Sequence, residues 1–461
     1  MNMSCSSISD TIPSWFWNFS SSLYFVNLSH NQIQGELPNL INLQLLYFFD
    51  LSSNHIQGHL PYVSPNIYGF NLFNNSLSGS LSHFLCHQMN ETMEMKALKL
   101  GNNFLLGEIP DCLAKWKQLN VIELSNNNLT GSIPNSIGDL KFLQSLHLRN
   151  NSISGNIPSS LSGCTELMNI DLAENQFEGE IPAWIGKNLQ NLTILNFRAN
   201  KFHGAIPEEL CQLTSLRILD MANNNFYGPI PKCIHNFTAM ISVNYSENPI
   251  EYGDIVEVAL IMMKRAMLQY STNLKFLRII DMSCNSLSGN IPLQITRLKE
   301  LQSLNLSNNL LTGKIPQDID ALRSLESLDL SGNQLSGNIP QSMSSMNFLS
   351  QLNLLNNDLE GTIPTGTQLQ SFDASSYSGN KLCGPPLTKS CNERVEIDGK
   401  EDDEGNNDEG LDVKWFCMGM AYGFGVGFWV VVGSLISFKK WRHFYFQLLD
   451  HLWLRLRFGC L

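Results

Sequence analysis

The amino-acid sequence predicts an α/β solenoid in which one unit of about 24 residues repeats along most of the chain. The frame L-x-x-L-x-L-x-x-N-x-L-x-G-x-I-P, clear in residues 119–134, recurs thirteen times. From Asn103 to Asn224 its asparagines are 24 or 25 residues apart. Within each copy, x-L-x-L-x alternates apolar and variable residues, as in a strand with one buried face. These are leucine-rich repeats, whose strands pair in a parallel sheet lining a concave face.

The other fixed residues of the frame have separate physical roles. The asparagine carries donors and acceptors that can satisfy backbone groups at the bend after the strand, on its own turn and on a neighbouring one. The glycine allows a bend that other residues resist, and the proline ends the strand where no ladder hydrogen bond is needed. The thirteen asparagines are Asn31, Asn54, Asn75, Asn103, Asn127, Asn151, Asn175, Asn200, Asn224, Asn285, Asn309, Asn333 and Asn357.

Composition and spacing divide the 461 residues into successive segments. The gap between Asn224 and Asn285 exceeds one repeat by about 37 residues and predicts a folded island that adds to a binding surface. An acidic run and a basic tail flank an uncharged apolar stretch near the end. The predicted segments are 1–235, leucine-rich repeats without their N-terminal part; 236–274, the island; 275–364, four repeats; 365–392, a C-terminal cap; 393–414, an acidic linker; 415–438, a transmembrane helix; and 439–461, a short cytoplasmic tail.

The uncharged stretch Trp415–Phe438 predicts a single membrane span. Its 24 residues would extend roughly 36 Å as a helix, enough for the hydrocarbon core of a bilayer. Lys439, Lys440 and Arg442 follow it directly, which places the repeats outside the cell and the tail in the cytoplasm. The first residues already fit the repeat frame, with no leader or cap before them, so we expect the true N-terminus to be missing.

Cysteines and sequons both indicate an oxidising, extracellular compartment. We predict disulfide bonds Cys86–Cys112, Cys211–Cys233 and Cys383–Cys391; zinc held by His83, Cys86, His87 and Cys112 is the rival reading of the first pair. Eleven N-x-S/T sequons predict N-linked glycans, although those at Asn27 and Asn305 fall on the presumed ligand face. The sequons are Asn2, Asn18, Asn27, Asn74, Asn90, Asn128, Asn150, Asn191, Asn236, Asn244 and Asn305.

Candidate ligand contacts lie on the strands and in the island. Exposed strand positions supply the first set, although an ordinary solvated strand face would look the same. The island supplies Tyr245, Tyr252, Lys264 and Tyr270. The strand candidates are Glu123, His147, Arg149, Asp171, Asn196, Arg198 and Asp220. The net charge of −12 excludes a basic nucleic-acid footprint, and no catalytic pocket, kinase motif or cofactor motif is evident, so we predict no enzyme and no cofactor.

The chain resembles the plant receptor-like proteins in a combination of features. These are the repeat, the island four repeats before the end of the solenoid, the cap G-N-x-x-L-C-G-P-P-L, the linker, the span and the short tail. Plant receptor-like proteins are receptor-kinase ectodomains without a kinase, and within that group the chain resembles the Cf-type resistance proteins of tomato and the receptors for fungal ethylene-inducing xylanase. The resemblance implies a single-pass plasma-membrane receptor in plant defence that binds an extracellular protein, peptide or glycan. Related islands carry a K-x5-Y motif, matched here by Lys264 and Tyr270.

The resemblance also implies two kinase partners. An adaptor receptor kinase would associate through the membrane helix, where Gly419, Gly423 and Gly427 lie on one face and allow close approach. A co-receptor kinase would join on ligand binding. A developmental receptor for an endogenous peptide, a cell-wall-enzyme inhibitor and a truncated, non-functional receptor fragment are the alternatives, and the predicted span and tail argue against the inhibitor.

Overall fold

The computed structural model describes residues 1–18, 23–86, 92–242, 251–252, 255–264 and 266–391, and residues 1–391 form one compact unit. The predicted acidic linker, transmembrane helix and cytoplasmic tail lie outside these residues, and with them Gly419, Gly423 and Gly427. Tyr245, Asn90 and Asn244 also lie outside them. No helix in the described part of the chain combines the length and apolar character needed to cross a bilayer.

The repeats form the predicted solenoid, and their strands pair in register in one parallel sheet. Within the described residues this sheet has thirteen strands, one from each repeat. Their bounds are Phe25–Asn27, Phe48–Asp50, Gly69–Asn71, Ala97–Lys99, Val121–Glu123, Ser145–His147, Asn169–Asp171, Ile194–Asn196, Ile218–Asp220, Ile279–Asp281, Ser303–Asn305, Ser327–Asp329 and Gln351–Asn353. In each strand the central residue is buried, so the first and third residues lie on the opposite side, here called the strand face. The first residues of the strands form the first row of this face, and the third residues form the row here called the third row.

A second set of parallel strands follows each bend, where the frame reads N-x-L-x-G. The frame predicts only one sheet, although the alternation in this part of it is also strand-like. Among the described residues these strands form one sheet of six and one of nine. The six are Ser9–Thr11, Gln32–Glu36, His55–Gly58, Ser76–Ser80, Phe104–Glu108 and Asn128–Thr130. The nine are Ser154–Gly155, Gln176–Gly179, Lys201–Ala205, Asn225–Gly228, Ser286–Asn290, Leu310–Gly313, Gln334–Asn338, Asp358–Thr362 and Lys381–Cys383.

The helical side of the predicted α/β solenoid is mostly 3-10 rather than α. The apolar residues after the proline recur every third residue, as in Ile137, Leu140 and Leu143, which matches three residues per turn. The α-helices in the described residues are Leu81–Leu85, Trp184–Asn188 and Thr367–Ser371. The 3-10 helices there are Ser14–Asn18, Leu113–Lys115, Asn135–Asp139, Ser159–Gly163, Glu208–Gln212, Lys232–Asn236, Thr238–Met240, Leu274–Phe276, Leu293–Arg297, Ile319–Ala321, Gln341–Ser345 and Ala374–Tyr377.

The frame asparagines connect each repeat to the preceding one. The side-chain amide of Asn54 donates to the carbonyls of Leu28 in the preceding repeat and Leu51 in its own, at 3.0 and 3.1 Å. Its oxygen accepts a hydrogen bond from the backbone N–H of Ile33, at 2.9 Å. The same pattern recurs at the other frame asparagines and satisfies backbone groups that the bend would otherwise leave unpaired.

The interior is one continuous stack of leucine, isoleucine and phenylalanine side chains from Phe16 to Leu382. Its C-terminal end is closed by the predicted cap. In the cap, Asn380 accepts from the N–H of Leu359 at 3.0 Å, and the hydroxyl of buried Tyr377 donates to the carbonyl of Leu369 at 2.6 Å. The cap therefore extends the asparagine pattern beyond the last repeat.

The three predicted disulfide bonds are confirmed. Cys86–Cys112, Cys211–Cys233 and Cys383–Cys391 have Cα–Cα distances of 5.6, 5.7 and 5.1 Å. The zinc alternative fails because Cys86 and Cys112 are bonded to each other, and His83 instead contacts the Tyr62 hydroxyl at 2.6 Å. Each bond closes a loop and typically stabilises a fold by about 2–4 kcal/mol.

The insertion leaves the solenoid slightly later than the spacing predicted. Phe237 and Met240 belong to the main core, and the N–H of Glu300 donates to the carbonyl of Met240. Beyond them, Glu251–Tyr252 pairs with Ile255–Val256, and Ala259–Met263 pairs with Ala266–Tyr270, both antiparallel. The second pair is here called the island hairpin. The solenoid resumes with the helix Leu274–Phe276.

Candidate functional site

The first row of the strand face is apolar over its middle part. Solvent-facing strand positions are normally polar, so a run of aliphatic residues there indicates a covered surface. Five such residues are almost fully buried and lie in one cluster, while Ser145 and Asn169 interrupt the run. The five are Ala97, Val121, Ile194, Ile218 and Ile279.

The island hairpin covers this apolar run. In its first strand the burial alternates, and Ala259, Ile261 and Met263 are the buried residues. They join the first-row residues in a separate apolar cluster, with Leu274 and Leu277 beside them. Tyr270 packs at the edge of the same cluster. The hairpin is thus held on the strand face by apolar burial, which favours association by about 25 cal/mol for each Å² of apolar surface removed from water.

Glu257, just before the hairpin, binds the polar gap in the first row. One carboxylate oxygen accepts from the Ser145 hydroxyl at 2.9 Å, and the other accepts from the Asn169 amide at 3.0 Å. His147 Nε2 lies 2.9 Å from the same carboxylate. Glu257 is 2% exposed, so these contacts replace its hydration. A buried carboxylate at this point therefore fixes the island to two neighbouring strands.

Further contacts hold the hairpin at both ends of its span. Arg149, which follows the sixth of the thirteen strands, donates to the carbonyl of Leu260 at 3.4 Å. At the turn, Lys264 pairs with Glu326 at 2.8 Å, and Gln351 donates to the Lys264 carbonyl at 3.5 Å. The hairpin therefore bridges strands that are far apart along the solenoid.

A cavity of about 360 Å³ lies between the strand face and the island, within the size range of small-ligand sites. Its lining extends from His30 near the start of the sheet to Asp171, the seventh strand. Val258, Leu260 and Gln269 of the island form one wall. Charged residues of the third row, Lys99, Glu123, His147 and Asp171, line it together with Glu257 and Arg149.

Burial shifts the pKa values of the cavity residues. Burial raises the pKa of Glu123 and of Asp171, against the opposing effect of His147 on the first and of Arg149 on the second. Burial alone would lower the pKa of His147, but the carboxylates of Glu257 and Glu123 outweigh it and raise that pKa to about 9. His147 is therefore protonated at neutral pH and lies between two acids, 2.9 Å from Glu257 and 3.6 Å from Glu123.

A second buried charge network lies on the next strands of the third row. Arg198 donates to Asp220 at 2.7 Å and also to Asp281. All three side chains are at least nine-tenths buried. Burial and the neighbouring Asp281 raise the pKa of Asp220 to about 6 although Arg198 opposes the shift. Removing one member of this network would leave a buried charge without its partner, which is strongly destabilising.

Comparison with known proteins agrees with this architecture. Family models for leucine-rich repeats match residues 96–244, 275–335 and 22–43, the first described as a leucine-rich repeat region. The chain is 47% identical over 99% of its length to receptor-like protein EIX2 of Solanum lycopersicum. The chain belongs to the plant leucine-rich-repeat receptor-like proteins. It is also 51% identical over 47% of its length to receptor-like protein EIX1 of the same plant, and it spans 46% of EIX2 and 23% of EIX1.

Solved plant receptor ectodomains share the fold of this receptor-like protein. The Arabidopsis receptor kinase HAESA, solved with the peptide hormone IDA and the co-receptor SERK1, is 30% identical with a TM-score of 0.65. That likeness covers 82% of this chain and 56% of HAESA. The ectodomain of GASSHO1/SCHENGEN3 from Arabidopsis thaliana, solved with CASPARIAN STRIP INTEGRITY FACTOR 2, is 27% identical with a TM-score of 0.63, over 83% of this chain and 50% of that one.

The exposure expected for the strand candidates of this receptor-like protein was wrong. They are 2–6% exposed because the island and neighbouring charges cover them; the exception is Glu123, whose side chain is 16% exposed. The buried candidates are His147, Arg149, Asp171, Asn196, Arg198 and Asp220. The cavity brings Glu123, His147, Arg149 and Asp171 together, whereas Asn196, Arg198 and Asp220 do not line it. Their role as ligand contacts stays a prediction.

The island candidates occupy different places. Lys264 lies at the hairpin turn and pairs with Glu326, while Tyr270 packs on the apolar cluster and its hydroxyl lies 3.8 Å from the sulfur of Met263. Tyr252 lies in a short strand. None of these contacts tests whether the residues bind a ligand.

Most described sequon asparagines are accessible. Those at the two strand positions, Asn27 and Asn305, are half-buried and accept hydrogen bonds from the N–H of Ser29 and Ser307, at 3.0 and 3.1 Å. None of these asparagines lines the cavity. The exposed ones are Asn2, Asn18, Asn74, Asn128, Asn150, Asn191 and Asn236.

Sequence reasoning missed Glu257 and the apolar first row. The signal was available, because Val121, Ile194, Ile218 and Ile279 occupy strand positions where a solvated face would carry polar residues. The two polar residues of the run, Ser145 and Asn169, are the ones that bind Glu257.

Proposed function

We propose that this chain is the ligand-binding part of a plant plasma-membrane receptor that binds an extracellular protein, peptide or glycan and signals in defence. The observation that carries the proposal is the charged cavity between the island and the strand face. The island adds one wall to this cavity and contributes Glu257 to its lining, while the repeats contribute the other five charged residues. The likeness to plant receptor-like proteins and to peptide-receptor ectodomains supports the same function.

The test uses the full chain, expressed with an epitope tag in leaf cells, and measures the oxidative burst after addition of a probe. Purified fungal ethylene-inducing xylanase is the first probe, and fractionated fungal culture fluid is the second. A response that requires the chain supports the defence function. A chain that reaches the cell surface and responds to neither probe contradicts it.

Two matched variants connect that response to the cavity. Lys99→Trp places an indole in the cavity, while Asn353→Trp places the same ring at the same strand position outside its lining. We expect Lys99→Trp to abolish the response and Asn353→Trp to preserve it, with equal surface amounts of both proteins. Equal responses from the two variants would reject the cavity as the ligand site.

Signalling would pass through partner kinases, since we expect no kinase activity in the chain itself. The proposed contact with an adaptor receptor kinase is the glycine face of residues 419, 423 and 427, and a co-receptor kinase would join on ligand binding. Replacing Gly419, Gly423 and Gly427 with leucine should reduce co-purification of the adaptor kinase. Undiminished recovery would exclude this helix face as the contact.

A developmental receptor for an endogenous peptide is the second candidate. It is favoured by the fold shared with HAESA, which was solved with the peptide hormone IDA. A response to plant extracellular fluid, absent with fungal fluid, would favour it over the defence function.

A further inference from the structure

The part of the cavity lined by Glu123, Asp171 and Glu257 is here called its island end. We propose that this end binds a cationic group of a peptide, an ammonium or a guanidinium, through Asp171 with Glu123 beside it. The inference rests on the proposed function, because it names the chemistry of the ligand that the cavity takes. Asp171 and Glu123 occupy the third row two strands apart, with His147 between them, and all three line the cavity.

Asp171 has an oxygen that the fold does not use. Its Oδ1 accepts a hydrogen bond from the N–H of Ala173 at 3.1 Å. Within the described residues no hydrogen bond reaches its Oδ2, although the residue is only 5% exposed. This oxygen is not sealed from solvent, and Asp171 lines the cavity, so a donor on a ligand can bind it in place of water.

The cationic neighbours of Asp171 are already engaged by other acids. Arg149 pairs with Glu174 and donates to the carbonyl of Leu260. His147 lies between Glu257 and Glu123. Lys99 lines the same cavity but lies three strands from Asp171, roughly 14 Å at the spacing of paired strands, which exceeds the reach of its side chain.

The charges of this end therefore favour a cation over an anion. Three carboxylates, Glu123, Asp171 and Glu257, line it, and the two cations beside them are shared with these acids and with Glu174. An incoming carboxylate or phosphate would have to displace one of those pairs. A guanidinium or ammonium instead adds donors where an acceptor is open, and charge-assisted hydrogen bonds of this kind are the strong ones.

The experiment measures binding of small probes to the full chain in detergent micelles by saturation-transfer NMR. N-acetyl-arginine amide and N-acetyl-lysine amide carry the cationic side chains, and N-acetyl-citrulline amide has nearly the shape of the arginine probe without its charge. Alanyl-alanine amide, with a free amino terminus, is compared with its N-acetylated form. The arginine-to-citrulline comparison tests whether the site binds a positively charged side chain. The last pair tests whether it binds a positively charged amino terminus.

We expect at least one cationic probe to bind about tenfold or more tightly than its uncharged partner, as the strength of hydrogen bonds to charged groups implies. Asp171→Asn should remove that preference. Asp329→Asn should retain it, because Asp329 occupies the same strand position outside the cavity lining and likewise accepts from a backbone N–H, that of Ser331.

Equal binding of charged and uncharged probes, no binding of any probe at millimolar concentration, or an unchanged preference in Asp171→Asn would overturn the inference. The wild-type comparison stands even if Asp171→Asn lowers the melting temperature, and Glu123→Gln serves as the second variant. A receptor that still responds to xylanase but shows no cation preference would reject this inference and leave the proposed function intact.

Discussion

The island hairpin is attached differently to the middle strands and to the last three strands of the sheet. Over the middle strands the first row is apolar, and the hairpin is buried on it with Glu257 in the polar gap. In the last three strands that row is Ser303, Ser327 and Gln351, and contact is made by the turn through Lys264 and Glu326. Both side chains of that pair are more than one third exposed.

The two kinds of contact differ in how easily they can be broken. Apolar burial and buried charge pairs are hard to break without loss of fold, whereas an exposed ion pair contributes about 0–1 kcal/mol. We therefore expect the hairpin to be bound tightly to the middle strands and to detach easily from the last three strands at its turn.

The largest loss of stability is expected from the charge network of the middle strands. Arg198→Ala leaves Asp220 and Asp281 buried without their shared partner, and should lower the free energy of unfolding by about 3–5 kcal/mol. Urea denaturation of the full chain, followed by tryptophan fluorescence, measures this. A loss below 1 kcal/mol would show that water reaches the two aspartates.

The apolar row should give the next largest effect. Ile194→Ala removes buried side-chain atoms beneath the island and should cost about 2–4 kcal/mol in the same denaturation measurement. Ser303→Ala changes the same row in the last three strands and should cost about 0.5 kcal/mol or less. Similar losses in the two variants would contradict the distinction between the two regions.

Hairpin attachment should weaken as the pH rises from about 6.5 through about 9. The pKa of His147 is raised in the folded chain from 6.5 to about 9, so the folded state binds its proton more tightly than the unfolded chain does. The stability that this provides is complete below pH 6.5 and is lost as His147 deprotonates. The raised pKa values of Glu123 and Asp171 act in the same direction at lower pH.

Backbone hydrogen exchange of Ala259–Met263, corrected for the intrinsic effect of pH, measures this weakening. His147→Gln should remove the pH dependence of this protection between pH 7 and 9, because a glutamine side chain cannot be protonated. A wild-type hairpin with constant protection across that range would show that the ion pair with Glu257 does not hold the island.

The smallest effect is expected at the turn. Lys264→Ala breaks the exposed pair with Glu326 and should change the free energy of unfolding by at most about 1 kcal/mol. Exchange should increase at Ala266 and Met267 and stay unchanged at Ala259. Loss of protection along the whole hairpin would indicate that the turn, rather than the middle strands, holds it.

The sequence predicted the repeats far better than the site. A frame with thirteen copies determines the strands, the buried leucines, the asparagine contacts and the disulfide pairs, because each depends on neighbouring repeats alone. The island instead contacts strands more than a hundred residues away in sequence, as Glu257 does with Ser145. No local pattern encodes such a contact, so His147 and Asp171 were predicted to be exposed when they are buried.

The helical side was also predicted only in part. The i, i+3 spacing of Ile137, Leu140 and Leu143 distinguishes a 3-10 helix from an α-helix, but the frame was interpreted as an α/β repeat. The second set of strands was missed because its alternation is interrupted after one apolar residue by the glycine of the frame. Gly131 has a φ of +75°, which few other residues adopt readily.

The asparagine contacts constrain how such a gene can change in length. Each frame asparagine is hydrogen-bonded to the repeat before it, so removing part of a repeat would leave hydrogen-bonding groups unpaired on both sides. Removing a whole repeat instead brings equivalent partners together. The island obeys the same restriction. The N–H of Phe226 donates to Asn285 at 3.0 Å, and Asn285 donates to the carbonyl of Met221 at 3.0 Å, so the pattern continues across an insertion as though it were absent. Duplication and loss of whole units, and insertion between two of them, are therefore the changes that this architecture can inherit without refolding its neighbours.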